Sequence, residues 1–274
     1  MKYMTFNSSC SYAGVANMLE QYGVDTSDRS IALAMKLPYL FSCCDGVYLS
    51  GPMLQKAEWF DLYLNPIGYR LLEKQICSQE IVDYLKEQKT AMLGIKTERN
   101  GKHAVVYTGT KSDLFVFLNN KWEEDESPSE IRLTADELKQ RIEPMVVVAT
   151  LQQTPAKSVD FTDRLKTSIS VLQANLADII EVCNTQETVA NLRLKLNTLF
   201  RPLFLDGITM LNMIGETVLA KEFTSLQQEL LSALRQDPQQ SICLKEYVSI
   251  SKLQVSTKIY RDLILSVIET AKDG

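Results

Sequence analysis

The apolar positions change their spacing along the chain. In the first third they recur three and four residues apart, which predicts helices. Ala13, Ala16, Leu19 and Tyr22 follow Cys10 at that spacing, and Gly23 stands where a helix-ending glycine belongs. Ser27 is placed to cap a second helix carrying Ile31, Leu33, Ala34 and Leu37. Ser50-Gly51-Pro52 opens a third, with Met53, Leu54, Ala57 and Phe60 on its apolar side. Ser78 heads a fourth, with Ile81, Val82 and Leu85 facing inward. The pattern then turns to strands over 91–95, 103–108 and 114–118. Thr134 with Glu137 reads as a capping box for a short helix reaching Ile142, and 145–149 reads as a buried closing strand. Helices first and mostly antiparallel strands later predict an α+β fold.

Beyond residue 155 the helical spacing returns and holds. Leu165, Leu172, Leu176 and Ile179 belong to one stripe, and Val189, Leu192, Leu196, Leu199 and Leu203 to a second that Pro202 bends or ends. A third runs from Ile208 to Leu234 and a fourth from Ile242 to Ile268, so this half predicts an all-α helical bundle. Through residue 155 the chain carries 8 of its 11 glycines and 6 of its 8 prolines, which places the boundary there. The expected domains are therefore 1–152 and 158–274.

Charge and composition narrow the classes. The 274 residues carry a net charge of −5, with 45% hydrophobic and 23% charged residues, as in a globular protein. Neither half is basic, so no nucleic-acid footprint is present and no nucleic-acid partner is expected. No apolar run is long enough to span a bilayer, and the start lacks an apolar signal core, so a cytoplasmic protein without a membrane partner is expected. Six cysteines without a CxxC pair, and one histidine, predict neither a disulfide scaffold nor a zinc site; no metal or other cofactor is expected. The run Glu123-Glu124-Asp125-Glu126 reads as a solvated loop, and Cys43-Cys44-Asp45-Gly46 as a surface turn.

Three residues carry candidate chemistry. Cys10 stands where a helix begins, and a helix N-terminus favours the reactive thiolate. His103, the one histidine, starts a strand and is the one neutral-pH proton carrier available to a thiol. If 109–113 is the loop of the following hairpin, residue 108 faces 114 and His103 lies opposite Asn119. An amide oxygen there would accept the ring N–H and fix the tautomer that serves the thiol. Asn120 points away in that register.

These residues resemble a known family. Asn7-Ser8-Ser9-Cys10, with Ala13-Gly14-Val15-Ala16-Asn17-Met18-Leu19-Glu20-Gln21-Tyr22-Gly23 after it, looks like the nucleophile helix of the bacteriocin-processing cysteine peptidases. Those papain-like enzymes cut leader peptides after a double glycine. Gly101-Lys102-His103-Ala104-Val105-Val106-Tyr107 resembles their histidine strand, and Phe115-Val116-Phe117-Leu118-Asn119 the strand ending in their third catalytic residue. The resemblance covers roughly residues 1–152 and implies a papain-like fold with Cys10, His103 and Asn119 as catalytic residues. The chain departs from the family in having Asn119 where aspartate is usual and Met4 where the oxyanion glutamine stands; Asn7 is the nearest amide. No GxxxxGK[ST] motif of a fused transporter occurs. A papain-like half followed by helices also resembles the butirosin-biosynthesis acyltransferase family, which passes an acyl group from a carrier-protein thioester to an amine.

Three functions follow as expectations. The first is cleavage of a peptide or amide bond through a thioester on Cys10. The second is acyl transfer from an acyl-carrier thioester to an amine by the same residues. The third is a non-catalytic papain-like module that binds a peptide or partner. The exposed remainder of the bundle stripes offers a homodimer surface.

Overall fold

The computed structural model describes residues 1–96 and 101–270. In chain order they form α1 (Cys10–Glu20), α2 (Asp28–Ala34), β1 (Phe41–Cys44), β2 (Val47–Ser50), α3 (Ala57–Leu64), β3 (Tyr69–Cys77), α4 (Ile81–Lys86), β4 (Ala91–Lys96), β5 (Lys102–Lys111), β6 (Leu114–Asn119), β7 (Glu130–Leu133), α5 (Ala135–Arg141) and β8 (Met145–Gln153). There follow α6 (Thr162–Asn184), β9 (Gln186–Thr188), α7 (Val189–Leu194), π-helical turns at Leu196–Phe200 and Pro202–Gly207, α8 (Ile208–Met213), α9 (Thr217–Leu234), β10 (Ser241–Cys243) and α10 (Ile250–Thr270). The chain divides into two compact units. One joins Met1–Met35 to Gln55–Val159, and the other joins Lys36–Leu54 to the chain from Asp160 onward. The sequence reading ran its first domain unbroken over 1–152, whereas Lys36–Leu54 falls in the second unit.

The first unit mixes helices with a six-stranded antiparallel sheet of order β3-β8-β4-β5-β6-β7, as an α+β layout requires. One face packs Leu93, Val105, Tyr107, Phe117 and Val148 into a core with Ile81 and Leu85 of α4 and Leu138 of α5. Each such fully buried side chain contributes about 1.5–3 kcal/mol. The other face receives α1. A Cβ added at Gly14 would run into the Met92 side chain of β4, so the helix packs closely against that side chain. The Ser27 cap forms, with its hydroxyl accepting the Ser30 N–H, and so does the Thr134–Glu137 capping box. Ser78 does not cap; α4 begins at Ile81 after Glu80, without a side-chain cap bond.

Four strands of the first 153 residues are absent from the sequence expectation: β3, β7 and both strands of the β1–β2 hairpin, whose turn lies at Asp45 and Gly46, both with positive φ. β3 is an edge strand paired with β8 alone, and its solvent-facing residues break any apolar alternation. The strand expected to be buried at 145–149 is half-buried: Met145 is 52% and Val147 47% exposed, because only the Val146–Val148 side meets the core.

The β5–β6 register also differs from the expected one. The turn is Ser112-Asp113, both with positive φ (51° and 63°), rather than a loop over 109–113. Lys111 pairs with Leu114, and a bulge between Tyr107 and Gly109 shifts the ladder so that Val105, not His103, lies opposite Asn119. Gly109 takes φ 139° at that bulge, a conformation side chains rarely adopt.

The second unit packs α10 on α6 and α9. Ser168 of α6 accepts the Phe41 N–H at 2.9 Å, and Tyr260 of α10 donates to the Pro38 carbonyl at 2.6 Å, tying Lys36–Leu54 to the helices. The expectation of an all-α bundle is corrected here. The β1–β2 hairpin belongs to this unit, and β9 and β10 pair as a second antiparallel ladder. Three-residue strands carry no readable period. Around Pro202, which has no N–H for an i→i−4 bond, the helix widens into π-turns instead of ending.

Candidate active site

The segment leading to Cys10 is held before the helix starts. The buried Asp28 carboxylate accepts the Thr5 N–H at 2.6 Å and the Thr5 hydroxyl at 2.8 Å. The chain then turns, with the Ser9 N–H donating to the Phe6 carbonyl at 3.2 Å and Ser8 at φ 61°. Ser9 occupies the N-cap of α1 but makes no side-chain cap bond. Its Oγ is buried without a partner among the described residues. Cys10 is the first residue of the helix, a half-buried free thiol. The Ser9 side chain therefore makes no bond to the first turn of α1.

His103 is the second residue of β5. Asn119 lies opposite Val105 and so diagonal to His103 on the same face, within reach of long side chains. The slip from the expected register is two residues, which preserves the face. Asn119 Nδ2 donates to the Pro128 carbonyl at 2.9 Å and to Ser127 Oγ at 3.2 Å. Its amide favours the charged imidazole of His103. His103 Nε2 is buried without a partner among the described residues. Burial holds the imidazole below its usual pKa; the Asn119 bond and the nearby Asp125 carboxylate oppose that shift by favouring imidazolium.

The structure brings His103 and Asn119 together. No hydrogen bond joins the Cys10 thiol to the ring among the described residues. By strand alternation Met92, Ala104 and Asn120 lie on the face that receives α1, and His103 and Asn119 on the other. Asn120 has its own task. It accepts from Asn17 Nδ2 at 3.0 Å and donates to the Ala104 carbonyl at 3.0 Å, and Asn17 in turn bonds the Lys2 backbone. Both asparagines are fully buried. Asn120→Leu strands one donor and one acceptor and is expected to destabilise the unit by about 1–3 kcal/mol. Urea denaturation measures it, and Asn119→Ala, at a more peripheral position, should cost less.

Asn7 is exposed. The amide that does bond the chain on both sides of Cys10 is Gln55, which sequence reasoning missed. Its Nε2 donates to the Ser8 carbonyl at 3.2 Å, and its Oε1 accepts from Ser11 Oγ at 3.2 Å. A contact between residues so far apart in the chain leaves no trace in a single sequence. Asp125 was also passed over, as one of a run of acids. Its carboxylate is held below the usual range by the Ser127 backbone N–H and the Ser127 hydroxyl, and it faces the imidazole.

Among the described residues no group of three His, Cys, Asp or Glu side chains is placed to hold a metal ion. No described helix is long and apolar enough to cross a membrane. No family model matches the chain, and no curated protein matches it. Among solved structures the chain is similar to the peptidase domain of Streptococcus ComA, a bi-functional ABC transporter involved in a quorum-sensing pathway. That similarity has a TM-score of 0.35 and 13% identity, and covers 54% of this chain and 96% of that one.

Proposed function

We propose that the first unit is a cysteine-nucleophile enzyme that cleaves a peptide or amide bond through a thioester acyl-enzyme. One observation supports this reading: Asn119 lies diagonal to His103 on one sheet face while the ring's Nε2 stays buried and unpartnered among the described residues. With Nδ1 protonated towards the Asn119 amide, Nε2 is the base. Nε2 takes the Cys10 proton as the sulfur attacks the carbonyl, then returns it to the leaving amine. Asn119 and Asp125 stabilise the imidazolium between those steps. The Cys10 backbone N–H at the N-terminus of α1 receives the oxyanion. Water then releases the acid from the thioester; an amine in its place makes the same residues an acyltransferase, with an acyl-carrier thioester as donor.

The opposite faces of α1 and the imidazole favour a second reading, a non-catalytic module that binds a peptide or partner. Thiol–imidazole bonds are often long before substrate binds, so the test is chemical. The protein is incubated with peptide amides and with a small acyl thioester, and its intact mass is followed. Acylation mapping to Cys10 and lost in Cys10→Ala is the expected result. Partition of the acyl group between water and an added amine separates hydrolase from transferase. No adduct with either donor, together with Cys10 alkylation no faster than that of Cys77, selects the binding module.

A further inference from the structure

Cys10 is bracketed by one side chain. Gln55 holds the residue two before it and the residue one after it, through the Ser8 carbonyl and the Ser11 hydroxyl. Both ends of the amide are thus committed across the point where the turn becomes helix. That point needs support. Ser8 sits in the left-handed region at φ 61°, which costs a non-glycine residue about 1–2 kcal/mol. The N-cap residue Ser9 gives the helix no side-chain bond, and its hydroxyl is buried without a partner among the described residues. An ordinary serine cap would fix this turn by occupying first-turn N–H groups. Ser9 makes no such bond, and Gln55 bonds the turn from outside it.

We infer that Gln55 is a positioning residue for Cys10, clamping the left-handed turn before it and the first helical turn after it so that the thiol and the Cys10 backbone N–H keep one arrangement. The inference rests on Cys10 being the nucleophile. Gln55 acts through Ser8 and Ser11. Its loss lets the Ser8 turn relax towards ordinary backbone, so the thiol loses its fixed placement.

The experiment is alkylation of Cys10 by iodoacetamide as a function of pH, read at each cysteine by mass spectrometry, with the exposed Cys43 as internal ruler. Variants are Gln55→Met, which keeps the volume and removes both bonds, Ser11→Ala, which removes one, and His103→Ala as a reference. Gln55→Met is expected to slow neutral-pH alkylation of Cys10 roughly tenfold. Ser11→Ala should slow it by less, and Cys43 should not change. A merely structural loss in the first unit would also change the rate at half-buried Cys77 of the same unit, which is read beside it. If His103→Ala slows Cys10 and neither Gln55→Met nor Ser11→Ala does, the clamp is wrong and the nucleophile stands. If no variant slows it, both readings fall. Should Gln55→Met not fold, Ser11→Ala alone decides between the first two outcomes.

Discussion

His103→Ala is expected to lower turnover at Cys10 by about 10²–10⁴-fold, the usual contribution of a positioned general base. The pH profile sharpens this. Burial holds the wild-type imidazole below its usual value, so its neutral form is reached early and the rising limb lies below the histidine value of 6.5. Asn119 and Asp125 both favour the charged ring, so Asn119→Ala or Asp125→Asn should move that limb to still lower pH. A change at Asn119 that moved the limb upward would place its amide elsewhere. The same burial links to stability. A histidine with a depressed folded value contributes stability that is present above the unfolded value and is lost as pH falls through the folded one. Chemical denaturation on either side of pH 6.5 should show that loss in wild type and not in His103→Ala. Wild-type turnover in His103→Ala would remove the histidine from the mechanism.

Arg201→Met is expected to destabilise the second unit by about 3–5 kcal/mol above neutral pH, the cost of leaving a buried carboxylate without its partner. Arg201 Nε lies 2.9 Å from Asp206 Oδ2, and the Asp206 side chain is 2% exposed. Burial pushes the Asp206 carboxyl up to about 6 against the pull of Arg201. The sign is opposite to that of an ordinary surface aspartate. The folded chain binds this proton more tightly than the unfolded chain. Asp206 therefore favours the fold below the unfolded value of 3.8, and that contribution is lost as pH rises through about 6. Without Arg201 the carboxyl rises further. Below pH 5 it is neutral with or without the arginine, so Arg201→Met should then cost little. Denaturant midpoints on both sides of that pH measure the crossing, and Asp206→Asn should abolish it. Equal losses at both pH values would show that Arg201 acts by packing alone.

The pair shows where sequence reading stops. Leu196, Leu199 and Leu203 sit at helical spacing, and the chain there is indeed helical. The spacing gave no sign that the backbone widens to π-turns, that Gly207 lies where a Cβ would come 2.8 Å from the Pro202 carbonyl, or that Asp206 turns inward. Whether a charged residue faces water or a partner depends on which other segment covers it.

Local chemistry was legible wherever neighbours in sequence decide the outcome. The Ser27 and Thr134–Glu137 caps form because their partners lie three residues away, and α1 begins at Cys10. Strand β4 was legible as a short apolar run and β5 and β6 through β-branched and aromatic residues, and the shared face of His103 and Asn119 followed from period-two alternation. Everything needing distant residues waited for the tertiary structure. The edge strand β3 exists because β8 supplies its partner, and the β5–β6 register was settled by the Ser112-Asp113 turn and the Gly109 bulge. The polar environment of the site likewise comes from afar: Gln55 around Cys10, Asp125 near His103, and Asn120 with Asn17 between helix and sheet. A sequence states which hydrogen-bonding groups and charges a chain carries. Their pairing is determined by burial, which removes water as a competitor only after the sheet and helices have closed over them.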